Sequence, residues 1–356
     1  MMIRACGLVV FVGVLCCQVA LSTGQSSFDI NRYHDYHEID AYIREVARLY
    51  PRITRLLVIG RSNEGRELLG LKIGANLNDN TVPAVYVDGG NHAREWPAFH
   101  VSAYFIDKLV NGFGHDQIIT DYLERAHFFI FPVLNPDGFI YSRTSTVSLI
   151  RQWRKNRALA NCTGVTAFNK HNVCCEGVDL NRNFDVQFKP TNYPFNNPCS
   201  DEYQGPFPFS EPETRAFRDF LLSKDASRIK AFISFHTHGQ LFILPFNFKR
   251  KTYPNDYPEL LGLAERAADA IRAVHDTKYR VGTAADMLGP VTGSASDWVK
   301  LNTPIKYVYT IELPPELRTS FAFQMKAHWL LPTSKETWAG ARVIIEQVLS
   351  EFGRPR

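Results

Sequence analysis

The chain has 356 residues, 45% of them hydrophobic, and a formal net charge of +4. That length suits two average domains or one large α/β domain, and no linker-like change of composition divides it, so a single domain is expected. So small a charge excess gives no reason to expect nucleic acid or a membrane surface as a partner.

At the N-terminus, Arg4 precedes the apolar run "CGLVVFVGVLCCQVAL" and the small residues "STG". This reads as a secretory signal peptide over residues 1–24, too short and too close to the terminus for a spanning helix. The rest, residues 25–356, is expected to be soluble and extracellular. Cys6, Cys16 and Cys17 would leave with the signal, and Cys162, Cys174, Cys175 and Cys199 remain in one region. An even count in an exported chain implies disulfides; adjacent Cys174 and Cys175 match no usual zinc-finger spacing. Asn161-Cys162-Thr163 is a glycosylation sequon in the same stretch.

Past the signal, "EIDAYIREVARLY" has helical periodicity, and "TRLLVIG" and "RELLGLKIG" read as strands. The strand "AVYVDGG" leads into "NHAREW" and the helix "WPAFHVSAYFIDKLV"; a further strand, "HFFIFPVLN", follows. Next come the polar stretches "RQWRKNR" and "GVDLNRNF", then the helix "SEPETRAFRDFLL" and the strand "IKAFISFHTHG". The helix "PELLGLAERAADAIRAV", the strand "IKYVYTIEL" and the helix "TSKETWAGARVIIEQVL" complete the order. Alternating strands and helices suggest a mostly parallel sheet covered on both faces, whose functional residues gather at strand carboxyl ends.

Three strand ends carry the residues with chemistry. His92 and Glu95 follow the first, "SFHTHG" offers His236 and His238 at the second, and Glu312 ends the third. Any one such histidine is more often a satisfied loop residue, yet His92, Glu95 and one histidine of "HTH" together form a set suited to catalytic zinc. Alternation along a strand puts His236 and His238 on one face, so spacing does not choose between them. Glu312 beside such a metal would serve as general base. The arginines and asparagines of "RQWRKNR" and "GVDLNRNF" suit a carboxylate clamp, because a planar guanidinium meets both oxygens.

In order, "NHAREW", "NPDGF", "QWRKNR", "GVDLNRNF", "SFHTHGQ", "GSASDW", "YTIELP" and "LPTSKETW" resemble the zinc metallocarboxypeptidases of the pancreatic A/B type, from about residue 28 onward. The resemblance implies a single-domain α/β sandwich around a mixed, mostly parallel eight-stranded sheet, one Zn2+ per chain, and peptide or protein C-termini as substrates of a monomeric enzyme. It implies zinc ligands His92, Glu95 and His236, catalytic Glu312, and Arg154 facing the carbonyl oxygen. Asn181 and Arg182 correspond to the grip on the substrate's terminal carboxylate, Arg94 to an outer substrate contact, and Asp179 to a partner of a ligand histidine. A Cys175–Cys199 disulfide is implied, leaving Cys162 and Cys174 for another.

The sequence departs from that pattern in three places. Gly289 stands where the family has a mobile tyrosine, so weaker substrate binding is expected, and His238 replaces an aromatic residue and is a candidate substrate contact. Ser296, at the specificity position, and its expected neighbours are uncharged, which points to release of apolar or uncharged residues. No inhibitory pro-domain is recognisable. A rival reading, a non-catalytic protein that holds C-terminal peptides, draws on Gly289 and His238.

Overall fold

A computed structural model describes residues 27–159, 175–189, 191–317 and 323–354. The expected signal segment, the sequon, Cys162 and Cys174 lie outside these residues.

Helix α1 (Tyr36–Leu49) starts at a capping box in which Asp35 and Glu38 each accept the other's backbone N–H. A hairpin follows, β1 (Thr54–Arg61) antiparallel to β2 (Glu67–Ile73), and then β3 (Ala84–Asp88), α2 (Trp96–Gly112), α3 (Gln117–Arg125), β4 (His127–Phe131) and α4 (Pro136–Thr144). Beyond them lie α5 (Pro212–Leu221), β5 (Ile229–Gly239), β6 (Leu241–Leu244), α6 (Tyr257–His275), β7 (Arg280–Thr283) and α7 (Ala284–Met287). The chain closes with α8 (Ala295–Asn302), β8 (Tyr307–Glu316) and α9 (Leu330–Phe352).

The strands form one 8-stranded sheet in the order β1-β2-β4-β3-β5-β8-β6-β7, parallel from β4 through β8 and flanked by antiparallel pairings. This is the expected mixed sheet. Strands β6 and β7 were not legible: "LFIL" and "RVGT" are too short to establish a period.

Alternation divides the central strands between two cores. Val85 and Val87, Phe128 and Ile130, and Ile233 and Phe235 face α1, α2, α6 and α9. Tyr86, Phe129, Phe131 and Phe232 face the other way, onto Phe217 of α5 and Trp298 of α8. Each such side chain contributes about 1.5–3 kcal/mol by leaving water. A sheet buried on both faces holds its strand ends rigidly, and the carboxyl ends of β3, β5 and β8 are adjacent.

Candidate active site

The site begins at the two glycines after β3. A Cβ on Gly89 would lie 2.0 Å from Pro132 O, and Gly90, at φ +96°, would place one 2.7 Å from Phe235 O. The chain can turn sharply here only because neither carries a side chain. Buried Asn135 secures the exit, donating from Nδ2 to Asn91 O at 2.9 Å and Lys155 O at 3.1 Å.

Glu95 occupies the N-cap of α2, with Pro97 in the first turn, yet its side chain makes no capping bond. Its carboxylate is engaged elsewhere. Oε1 lies 2.8 Å from His92 Nδ1, and Oε2 lies 2.9 Å from His236 Nδ1 and accepts the Thr237 N–H at 3.1 Å. The three side chains are buried, with their ligand atoms all within 4.8 Å of one another. Two nitrogens bound to one tetrahedral zinc at about 2.0–2.1 Å would be about 3.3 Å apart; the two Nδ1 atoms are 3.1 Å apart. The donor set therefore fits zinc. Burial alone would push the Glu95 carboxyl up, but His92 and His236 outweigh it and hold it well below the usual carboxylate range, in its ligating form.

Spacing left His236 and His238 equivalent, and the backbone separates them: the pairing of β5 with β8 shifts register between Thr237 and Gly239. His236 joins the cluster. His238 instead sets its ring edge-on to Phe323, centroids 4.9 Å apart, and its Nδ1 is buried without a partner among the described residues.

Beneath His92 lies Asp179, fully buried. Its Oδ1 is 3.1 Å from His92 Nε2 and accepts the Asn181 N–H at 3.0 Å, while Oδ2 accepts from Arg154 Nε at 2.7 Å. Occupying Nε2 leaves Nδ1 of His92 to face the cluster. Burial would raise the Asp179 carboxyl, but Arg154, His92 and Arg182 together hold it well below its ordinary value. Arg154 also approaches Glu95, Nη1 to Oε1 at 3.8 Å.

Residues that no motif singled out fix this arrangement. Asn156 donates to Glu211 at 2.7 Å and Glu213 at 3.2 Å, and its Oδ1 accepts the Val178 N–H at 2.8 Å. Asn183 accepts from Thr214 Oγ1 at 2.7 Å and from Glu211 N at 3.2 Å. The start of α5 thereby holds both the loop bearing Arg154 and the turn bearing Asn181 and Arg182. "SEPET" carried no sign of this in sequence, because it reads as an ordinary helix start.

Glu312 pairs directly across from His236 in the β5–β8 register. Burial, then the charge of Glu95, pushes its carboxyl up to about 8 against the pull of His236, Arg154 and Arg182. Arg182 is buried, with Nη1 on Asn181 O at 2.9 Å, and Asn181 Oδ1 accepts the Ala295 N–H at 2.8 Å. Arg94 stands farther out, paired with Asp201 at 2.9 Å and stacked over Phe323 at 4.2 Å.

The residues expected around Ser296 assemble about Asn247. Asn247 Oδ1 accepts the Ala284 N–H at 2.7 Å, and its Nδ2 donates to Asp297 at 2.9 Å and toward Ser296 Oγ at 3.4 Å. Ile243 is cross-strand to Thr310, and Val291 N–H donates to Asn247 O at 2.8 Å. Gly293, at φ +68°, presses on the clamp turn so closely that a Cβ would lie 2.0 Å from Arg182 O. Cys175 and Cys199 form the implied disulfide.

Comparison with known proteins gives one answer. The zinc carboxypeptidase family, Peptidase_M14, matches residues 39–340. Carboxypeptidase B of Astacus astacus is 35% identical over 91% of this chain and 99% of its own, and carboxypeptidase A2 of Rattus norvegicus 34% identical over 90% and 72%. Among solved structures, carboxypeptidase A from Helicoverpa armigera superposes with a TM-score of 0.79 at 28% identity, covering 93% of this chain and 77% of that one. Bovine thrombin-activatable fibrinolysis inhibitor, solved in complex with a tick carboxypeptidase inhibitor, gives 0.77 at 30% identity, covering 90% and 99%. With a buried His-Glu-His set suited to zinc at the strand ends and this similarity along almost its whole length, the chain belongs to the zinc carboxypeptidase family and is a metallocarboxypeptidase.

Proposed function

We propose that this enzyme is secreted and releases single uncharged residues from peptide C-termini, with His92, Glu95 and His236 holding the zinc. The observation that carries the reading is the meeting of those three buried ligands with Glu312 across one strand pair and Arg154 across Asp179. Zinc bound there polarises the scissile carbonyl and acidifies water.

The remaining work falls to side chains. Glu312 takes the proton of the attacking water and returns it to the leaving amine, a task suited to a carboxyl raised to about 8. Arg154, its Nε fixed by Asp179, directs the rest of its guanidinium at the developing oxyanion. Asn181 and Arg182 hold the substrate's terminal carboxylate, which restricts cleavage to the last peptide bond. Arg94 and His238 contact the upstream backbone, His238 through its unpartnered Nδ1.

Specificity follows from the surroundings of Ser296. Asp297 is the nearby acid, and both its oxygens already accept from Asn247. A Lys or Arg side chain would enter with no free carboxylate to meet it, at a cost an uncharged side chain avoids. The apolar run after Arg4 and the Cys175–Cys199 bond support secretion.

The test is to incubate the purified protein with peptides ending in Phe, Leu, Lys and Glu, with and without a chelator. Chelator-sensitive release of Phe and Leu is expected. Preferential release of Lys would overturn the specificity, and release of internal fragments would overturn the role of the clamp.

A further inference from the structure

The guanidinium of Arg182 is already partly engaged. Nη1 donates to Asn181 O at 2.9 Å, Nη2 donates to Glu202 Oε2 at 3.2 Å, and Nε is buried without a partner among the described residues. Glu202 therefore presents to this arginine the same chemical group, a carboxylate, that a substrate C-terminus would bring. It also lies close enough to Arg154 to reinforce that guanidinium's charge.

The backbone around Glu202 is fixed. Its N–H donates to Ser200 Oγ at 3.0 Å, and the next residue, Tyr203, accepts the Asp179 N–H on its carbonyl at 2.8 Å. Just upstream, Cys199 is tied to Cys175, which precedes Asp179 on the strand of chain leading to the clamp. The side chain is less confined: that of Glu202 is 40% exposed, against 9% for Arg182. A carboxylate on a firm base, reaching a buried cation through one oxygen, can hold the arginine and still be displaced.

We infer that Glu202 is an internal ligand of Arg182 that competes with the substrate's terminal carboxylate and so sets the affinity of the cleft for C-termini. The inference rests on the reading of Arg182 as the carboxylate clamp. A partly exposed ion pair with one hydrogen bond is weak, so displacing it should raise KM by about two- to five-fold. Once displaced, Glu202 is absent from the substrate complex and the transition state alike, so kcat is untouched. The same competition speeds departure of the released amino acid, whose carboxylate contends with Glu202 for the same fork.

The experiment compares wild type with Glu202→Gln and Glu202→Ala, all loaded with zinc, on a peptide ending in Phe, and titrates 3-phenylpropionate as a competing monocarboxylate and 3-phenylpropionamide as its neutral counterpart. Both variants should lower KM and the inhibition constant of the acid by the same two- to five-fold, with kcat within about twofold and no gain for the amide. Unchanged or increased KM and inhibition constant in both variants would overturn the inference, as would an equal gain for the amide. Arg182→Ala separates the two levels. If it leaves KM and acid binding unaltered, the clamp reading itself fails. If it weakens both while the Glu202 variants change neither, the clamp stands and the competition does not exist. In the Arg182→Ala background, Glu202→Gln should be silent.

Discussion

Replacing Asp179 by Asn tests the centre of this site, because one carboxylate serves three of its parts. Its Oδ1 meets His92 Nε2 and the Asn181 N–H, and its Oδ2 meets Arg154 Nε. All three partners present N–H donors. An amide of the same shape can keep Oδ1 on His92 and Asn181, but its NH2 then faces the Arg154 donor. Loss of such a partner behind a metal-bound histidine weakens metal affinity by about 10- to 100-fold. The second effect is separate: Arg154 loses its 2.7 Å anchor and keeps only Glu95 at 3.8 Å as a counter-charge. A misdirected oxyanion donor costs about 10²–10³ in kcat, and an uncompensated buried charge costs about 3–5 kcal/mol of stability. Competition with a chromogenic chelator would read the zinc affinity, peptide kinetics at saturating zinc would isolate the Arg154 effect, and denaturant unfolding would read the stability. An Asp179→Asn enzyme with zinc affinity and zinc-saturated kcat both within threefold of wild type would refute the reasoning.

Three further outcomes follow from the same geometry. Glu312→Gln should lower kcat by about 10²–10⁴ while zinc binding, measured by competition, changes little; undiminished turnover would remove the assigned base. Ser296→Asp should shift release from Leu toward Lys and Arg, read as the ratio of kcat/KM for matched peptides, and an unaltered ratio would show that Ser296 does not line the pocket. Glu213→Gln concerns stability against pH: burial, with Glu211 and Asp137 nearby, raises the Glu213 carboxyl from 4.5 to about 7. Its fold-stabilising protonated form is thus lost as pH rises from 4.5 through about 7, worth about 3 kcal/mol across that window. The variant should therefore gain Tm relative to wild type between pH 5 and pH 8, and a pH-independent difference would refute it.

What could be read in the sequence was whatever repeats or clusters. The long apolar strands and amphipathic helices announced the sheet and its two covered faces, and "NHAREW", "HTH" and "YTIEL" announced where chemistry would gather. Short strands such as β6 and β7 lacked enough residues for a period, and the choice within "HTH" depended on a register shift that no side-chain alternation encodes. The supporting acids were invisible for another reason. Asn156, Glu211 and Glu213 are distant in sequence, and polar residues in a helix start or loop read as solvated until the fold buries them together.

Gly289 shows how a departure in one residue reaches the backbone. It stands where the resembling family carries a mobile tyrosine, but it is more than that side chain's deletion, since its φ is +148°. A Cβ there would meet nothing within 4 Å, so space does not demand glycine; the conformation does. A tyrosine restored at 289 would have to carry the segment into a different path, and that path is constrained only a few residues later, where Gly293 is pressed onto Arg182 O. The chain between these glycines is thus tied to the clamp at one end and free of side-chain contact at the other. Substrate contacts that elsewhere depend on a moving phenol fall here to fixed groups, the buried nitrogen of His238 and the guanidinium of Arg94 over Phe323. Since zinc, Glu312 and Arg154 require nothing from position 289, the expected consequence is a higher KM with the chemistry retained.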